Sequence, residues 1–359
     1  VNLTVEQQNA IRCVVKDVKQ GDKQVITFSG FAGTGKTTCI TFLSQVLDNF
    51  AICAYTGKAA NVLRKKGMHA TTIHSLIYRP EPWGGKVEFS LIPPDEFNAA
   101  GFIVDEASMV SQDIYNDLLT FNKPIIYVGD HGQLEPIGSD VNVMANPMYR
   151  LEKVHRNAGE IAHFAEHIRH GKSASRFHGT EKVEILSPNS VNNDHLVGMD
   201  QIICAFNKFR VGTNKTVRNL LKFEDELLMP GERIMCLRNN KNIGLFNGMQ
   251  GTVKSVDLEH CRMDFQWDEQ TFPNLWFDDS QFHREKPDFA WGRDTPHPFE
   301  YAYCITAHKS QGDEWQKVMV YEQICDKWDH KRWAYTSASR AKEKLFWVTQ
   351  KKFIPTSWN

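Results

Sequence analysis

The run Gly30-Phe31-Ala32-Gly33-Thr34-Gly35-Lys36-Thr37 follows the pattern of Gly, four residues, then Gly-Lys-Thr, the arrangement that cradles a nucleoside triphosphate. Its glycines let backbone N–H groups close around phosphates at the positive end of a helix. The Lys36 ammonium reaches the outer phosphates and the Thr37 hydroxyl ligates Mg²⁺. Gly33, Thr34, Gly35, Lys36, Thr37 and Thr38 are the expected contacts to ATP. A second run, Phe102-Ile103-Val104-Asp105-Glu106-Ala107-Ser108, ends an apolar stretch on two carboxylates. Asp105 suits Mg²⁺, held through water or the Thr37 shell, and Glu106 suits the task of orienting and deprotonating an attacking water. An acidic pair after a strand also serves as a solvated turn or helix cap; beside Lys36 and Thr37 the chemical reading is favoured. A third run, Ile125 to Leu134, delivers Gln133, a neutral amide able to sense the γ-phosphate and hold the lytic water. Alone it reads equally well as a loop glutamine facing solvent.

These groups need strand ends to hold them. Val25 to Ser29, Ala51 to Tyr55, Phe102 to Asp105 and Ile125 to Gly129 read as buried strands alternating with helical patterns, the signature of an α/β domain with a parallel sheet. Between the second and third, Arg79 to Pro94 places short alternating runs on either side of Gly84-Gly85, which predicts a projecting hairpin. Leu151 to His170 is helical in pattern, and Val183 to Leu186 and Gln201 to Ala205 read as strands of a second α/β unit. From Gly231 to about Phe299 short β-like runs (Arg233 to Arg238, Gly251 to Val256, Arg262 to Gln266) alternate with Asn- and Gly-rich turns, predicting a small inserted barrel. Asp268 to Pro298 carries no periodicity from which to assign elements. Tyr301 to Thr306, Lys317 to Tyr321 and Leu345 to Thr349 read as strands that resume the second unit.

With 359 residues the chain has room for two or three domains. Its 41% hydrophobic and 24% charged content is ordinary for a globular protein, and a formal charge of −1 neither points to nor excludes a nucleic-acid partner. No apolar run is long enough to span a membrane and no secretory signal pattern opens the chain. The sequence begins at Val1, as expected of a processed or trimmed chain. Eight cysteines without a Cys-x-x-Cys pair indicate neither a zinc knuckle nor a disulfide framework, so a reducing, cytoplasmic setting is expected.

Further short motifs fall in order: Ala-Tyr-Thr-Gly-Lys-Ala-Ala at 54–60, Thr-Ile-His-Ser at 72–75, Val-Gly-Asp-His-Gly-Gln-Leu-Glu-Pro-Ile at 128–137, Val-His-Arg-Asn at 154–157, Asn-Gly at 247–248, Ile-Thr-Ala-His-Lys-Ser-Gln-Gly at 305–312 and Tyr-Thr-Ser-Ala-Ser-Arg-Ala at 335–341. Together with the phosphate loop and Val-Asp-Glu-Ala-Ser-Met at 104–109, this ordered set resembles the superfamily 1 DNA helicases, in the 5′-to-3′ branch of RecD-like and phage Dda-like enzymes. The resemblance spans nearly the whole chain. It implies two RecA-like P-loop motor domains, the first at 1–150 with a hairpin pin at about 79–97, the second at 151–230 and 300–359, and an SH3-like β insertion at 231–299.

It also implies roles. Gln7, within Leu3 to Gln7, should contact the adenine. Arg156 and Arg340 should reach the γ-phosphate from the second motor domain, so that hydrolysis depends on closure. DNA contacts fall on Thr56, Lys58, Thr72 and His74 in the first domain and Asn247, Thr306, His308 and Lys309 in the second, a set suited to gripping phosphates without reading sequence. Trp83 or Phe89 of the hairpin would stack on a base at the fork, or else pack against their own domain. Trp267, Phe272, Trp276 and Phe277 are expected as packing residues. By the same resemblance the insertion is expected to be compact compared with relatives that carry a longer tower, and the N-terminal extension of many cellular relatives is not expected, as in a viral or plasmid-type enzyme working in the host cytoplasm. The expected activity is ATP-driven 5′-to-3′ unwinding of DNA by a monomer, with single-stranded and forked DNA as partners and replication or recombination proteins as candidates beside them. A translocase that strips proteins or remodels nucleic acid without unwinding shares every ATPase residue. A P-loop kinase is the reading from another class, disfavoured by the order of Gln133, Arg156 and Arg340.

Overall fold

Thr4 opens the first helix, α1 (Val5–Gln20), through a capping box: its hydroxyl accepts from the Gln7 N–H while the Gln7 side chain accepts from the Thr4 N–H. Gly21, at φ 71°, ends it. The computed structural model describes residues 3–83, 86–135, 142–153, 159–223, 227–240, 243–289, 295–325 and 328–349, without the side chains of residues 80–88. It divides into two units, Val1–Ala158 and Gly159–Asn359.

In the first unit the chain continues through β1 (Val25–Gly30), α2 (Lys36–Val46), β2 (Phe50–Ala54), α3 (Gly57–Lys65), β3 (Ala70–Thr72), α4 (Ile73–Ile77), β4 (Tyr78–Trp83), β5 (Lys86–Leu91), β6 (Gly101–Asp105), α5 (Gln112–Leu119), β7 (Ile125–Gly129) and β8 (Tyr149–Leu151). β4 and β5 pair antiparallel as a hairpin. The other strands form one parallel sheet in the order β3-β2-β6-β7-β1-β8. Side chains alternate across it, as the twofold period of a strand requires. Ile26, Phe28, Ile103, Ile126 and Val128 enter one core, with Val14, Ile40 and Leu63 from the helices. Phe102, Val104, Ile125 and Tyr127 enter the other, with Ile73, Ile114 and Leu118. Burial on both faces is why these strands read as continuous apolar runs.

Leu151 departs from expectation. It ends a strand beside β1, with Phe28 opposite Tyr149 and Gly30 opposite Leu151, and the next described helix, α6 (Gly159–Arg169), begins later. A three-residue edge strand is too short to show a period, so its apolar residues merged with the helical pattern that follows.

The second unit adds β9 (Val183–Leu186), α7 (Asn193–Val197), β10 (Gln201–Cys204) and α8 (Asn207–Leu220), then the barrel strands β11 (Arg233–Cys236), β12 (Gln250–Asp257), β13 (Arg262–Trp267), β14 (Gln270–Asp278) and β15 (His297–Tyr301). The chain returns through β16 (Cys304–Thr306), β17 (Trp315–Tyr321), α9 (His330–Ala338) and β18 (Ala341–Val348). Its parallel sheet runs β16-β10-β17-β18-β9, and β11 to β15 close into a barrel filled by Val253, Phe265, Phe272, Phe277 and Phe299. The run Tyr301 to Thr306 is not one strand. Tyr301 pairs with Ile234 in the barrel, Cys304 pairs with Ile202 in the sheet, and Ala302 and Tyr303 carry the chain between them. All of these residues are buried, so hydrophobicity gives no sign of the break. The unassigned stretch from Asp268 contains β14, a short 3₁₀ turn at Asp279–Gln281 and the start of β15. Trp276 is no packing core: it is 38% exposed on the barrel exterior, beneath the Arg262 guanidinium at 5.7 Å.

A polar ladder on α8 joins barrel and sheet. Arg210, Asn214 and Arg218, four residues apart, share one helix face and are all buried. Arg210 donates to Glu300 at 2.5 Å, and the Asn214 amide donates to the Tyr301 and Cys304 carbonyls at 3.1 and 3.0 Å. Arg218 grips Glu232 with two bonds of 2.5 and 3.0 Å. Removing one member of such a pair strands a charge in the interior. Arg218→Ala is therefore expected to lower the stability of the chain by about 3–5 kcal/mol in urea unfolding, whereas a loss below 1 kcal/mol would mean that Glu232 finds water.

Candidate functional site

The loop after β1 is built around its glycines. Gly35, the residue before α2, has φ 84°, and a Cβ there would lie 2.4 Å from the Gln7 amide nitrogen. That nitrogen donates to the Thr34 carbonyl at 2.9 Å, so the start of α1 is fastened to the loop. The Thr34 hydroxyl bonds the Phe31 carbonyl at 2.8 Å and closes the turn from within. Lys36 folds back over it: Nζ donates to the carbonyls of Gly30 and Phe31 at 2.8 and 3.2 Å and stands 3.9 Å from Asp130 Oδ2. An ammonium held by neutral carbonyls is one that phosphate oxygens can draw away. Thr37 and Thr38 sit partly buried in the first turn of α2.

Parallel registration brings the remaining groups to this edge. Val104 lies opposite Tyr127 and Ser29 opposite Gly129, so the residues after β6 and β7 emerge beside the loop. Burial pushes the Asp105 carboxyl above the usual carboxylate range, against the opposing pull of the Glu106 N–H at 2.9 Å and of the Lys36 charge. A hydroxyl and a carboxylate are oxygen ligands of the kind a hard cation takes, so Thr37 and Asp105 are the residues that could hold Mg²⁺. Glu106 holds a left-handed backbone, φ 54° and ψ 40°. That geometry is costly for a residue with a Cβ, and strained residues of this kind cluster at functional sites. Gln133 is 4% exposed, its amide nitrogen 3.4 Å from Asp130 Oδ2, while Asp130 Oδ1 accepts the Gly132 N–H at 2.9 Å.

Sequence reading passed over three neighbours. Asp130 faces Lys36, and His131 bonds Ser29 through its ring at 2.5 Å and packs on Phe31 with the rings tilted and centroids 4.3 Å apart. A fully buried polar Ser29 near the end of β1 was the available signal.

Two residues expected on DNA cap helices. Thr56 accepts from the Ala59 N–H at 3.1 Å at the start of α3, and Thr72 accepts from the Ser75 N–H at 3.1 Å at the start of α4. Lys58 is partly buried on α3, and His74 lies against Tyr78 with centroids 5.5 Å apart. Phe89 is 52% exposed on the hairpin, whereas the Trp83 side chain lies outside the description, as does all of Arg156.

In the second unit Thr306 ends β16, and His308 and Lys309 follow in a one-turn 3₁₀ helix, His308–Ser310. Burial holds the His308 pKa below its ordinary value. Asn247 is exposed on a barrel loop, its N–H donating to Asn239 at 2.7 Å. Arg340 lies at the opposite, N-terminal edge of the sheet, just before β18. It is 4% exposed and donates to the Thr336 carbonyl, the Asp313 carbonyl and the Ser339 hydroxyl at 2.9, 3.2 and 2.7 Å. None of these three acceptors is a carboxylate.

The family model described as AAA domain matches residues 2–187, and that of the UvrD-like helicase C-terminal domain matches residues 301–348. The chain is 23% identical over 361 residues to the ATP-dependent RecD2 DNA helicase of Deinococcus radiodurans, covering 90% of this chain and 46% of that protein. It is 31% identical over 191 residues to the ATP-dependent DNA helicase dda of Enterobacteria phage T4, covering 48% and 43%. The chain thus spans less than half the length of these curated relatives. Among solved structures, Bacteroides Pif1 bound to single-stranded DNA aligns with a TM-score of 0.65 at 18% identity, over 97% of this chain and 92% of that one. Pif1 from Candida albicans aligns at 0.59 and 17%, over 97% and 94%. The likeness is one of fold: RecA-like units built on parallel sheets.

The Glu106 backbone yields a test of its own. Glycine escapes the left-handed penalty that alanine keeps, so Glu106→Gly should be more stable than Glu106→Ala by up to ~1 kcal/mol in thermal or urea unfolding. The reverse order would show that residue 106 is unstrained.

Proposed function

The chain belongs to the AAA-domain family, in the 5′-to-3′ branch of the superfamily 1 helicases, and from that premise we propose that it is an ATP-dependent DNA helicase that moves 5′ to 3′ on single-stranded DNA. The observation that carries the reading is the first unit's strand edge, where Lys36, folded onto its own loop and 3.9 Å from Asp130, shares one rim with Asp105, Glu106 and Gln133.

In this reading Lys36 exchanges the Gly30 and Phe31 carbonyls for the outer phosphates of ATP, and Thr37 and Asp105 hold Mg²⁺. When bound, such an ion would supply charge that neutralises the phosphates. Glu106 takes the proton of the attacking water and Gln133 orients that water. Arg340 is the second unit's cation for the γ-phosphate, supported by its burial among neutral oxygens; Arg156 shares the task by likeness alone. Gln7 meets the adenine by likeness alone, since its amide also serves Thr4 and Thr34.

The DNA track is assigned to Thr56, Lys58, Thr72 and His74 in one unit and to Asn247, Thr306, His308 and Lys309 in the other. His308, kept neutral by burial, contributes hydrogen bonding, and Lys309 contributes charge. The hairpin acts as the pin, with Phe89, which is exposed, or Trp83, by likeness alone, at the fork. The barrel acts as an SH3-like insertion. The motor domains are taken as 1–150 and as 151–230 with 300–359, the insertion as 231–299, and the working form as a monomer on forked DNA.

Two variants and one pair of substrates test this. Lys36→Ala should abolish ATP hydrolysis, and Glu106→Gln should bind ATP but lose turnover; normal turnover in either sinks the site. Matched duplexes with a 5′ or a 3′ single-stranded tail should be unwound only from the 5′ tail. Preference for the 3′ tail overturns the polarity, and hydrolysis stimulated by single strands without strand displacement supports a translocase instead.

A further inference from the structure

Lys309 does not point at solvent by default. Its ammonium donates to Glu300 Oε1 at 2.8 Å while its side chain remains 30% exposed. Glu300, on β15 of the barrel, has a side chain only 4% exposed, and its other oxygen is taken by Arg210 from α8 at 2.5 Å. Arg210 is fixed in turn: its second terminal nitrogen donates to the Arg284 and Glu285 carbonyls at 2.7 and 3.3 Å. The carboxylate is thus locked on one side and offers a single acceptor to the lysine on the other. A lysine ammonium has three donors, and one bond to Glu300 leaves two for the exposed side. One carboxylate between two cations also leaves a net positive charge that only a further anion balances.

We infer that Glu300 is a positioning residue that aims Lys309 at a phosphate of the single strand, so that the barrel sets one grip of the track. The inference rests on the proposed reading of the protein as a motor on single-stranded DNA. Holding the lysine in advance removes part of the rotamer entropy that phosphate binding would otherwise cost. In Glu300→Gln the buried Arg210 keeps the amide oxygen, which turns the amide NH₂ toward Lys309 and sets donor against donor. Glu300→Asp keeps the charge but withdraws the acceptor by one methylene.

The test is a double-mutant cycle on the full chain, read by fluorescence anisotropy with a labelled oligothymidylate over a range of salt, beside thermal melts. Lys309→Ala should weaken binding and flatten the salt dependence by about 0.7, the value for one phosphate on a single strand. Glu300→Gln and Glu300→Asp should each weaken binding about fivefold with Lys309 present, an effect of the size an oriented charged hydrogen bond has, and leave it unchanged when residue 309 is alanine. If Glu300→Gln fails to fold, the Asp variant carries the cycle. Equal effects in both backgrounds would reveal a general field or stability effect and overturn the inference, as would variants that melt lower yet bind normally. Failure of the motor reading shows differently: the native chain would neither bind the oligonucleotide nor hydrolyse ATP faster in its presence, and both conclusions would fall.

Discussion

Parallel strand registration is the constraint on which the first unit's chemistry depends. Neighbouring strands that run the same way must end at the same edge, and β1, β6 and β7 therefore deliver the phosphate loop, Asp105 with Glu106, and Asp130 with Gln133 to one rim. No single contact assembles the site. The cores on the two faces of the sheet hold the strands in register, and ligand-binding residues collect where the strands end. Local devices then sharpen the rim: the Gln7 amide fastens α1 to the loop, and the left-handed Glu106 turns the chain away after Asp105.

The second unit solves a different problem, the attachment of a β-barrel to an α/β sheet. A purely apolar seam would have been enough for cohesion. What the structure has instead is a ladder of Arg210, Asn214 and Arg218 on α8, each directed to a particular carboxylate or carbonyl. Buried ion pairs contribute little net stability when complete and cost several kcal/mol when broken. Their effect here is geometric: they admit one placement of β15 against α8, and through Glu300 that placement extends to Lys309 at the end of the sheet.

Much of the fold was legible because its parallel strands are buried on both faces. Val25 to Gly30, Ile125 to Gly129 and Val183 to Leu186 show themselves as apolar runs closed by turn residues. The misreadings have one cause. Tyr301 to Ile305 is apolar throughout and Tyr149 and Leu151 flank a single arginine, and hydrophobicity records that a residue is buried without recording by which sheet. Trp276 fails in the other direction, since an aromatic side chain can remain outside when a guanidinium covers its ring. Thr56 and Thr72 gained a second duty in the structure, because a hydroxyl before a helix is a cap whatever else it touches.

By itself the sequence determined the chemical inventory. The Gly-x-x-x-x-Gly-Lys-Thr spacing, the paired carboxylates after a strand and the order of the short motifs are local patterns, readable because each acts within a few residues of chain. Tertiary structure alone decided which of these groups share an edge, that Lys36 rests on its own loop, that Arg340 and Lys309 lie at opposite ends of one sheet, and that Glu300 holds Lys309. Those outcomes depend on contacts between residues far apart in the chain, where burial and charge are settled by neighbours that no local pattern names.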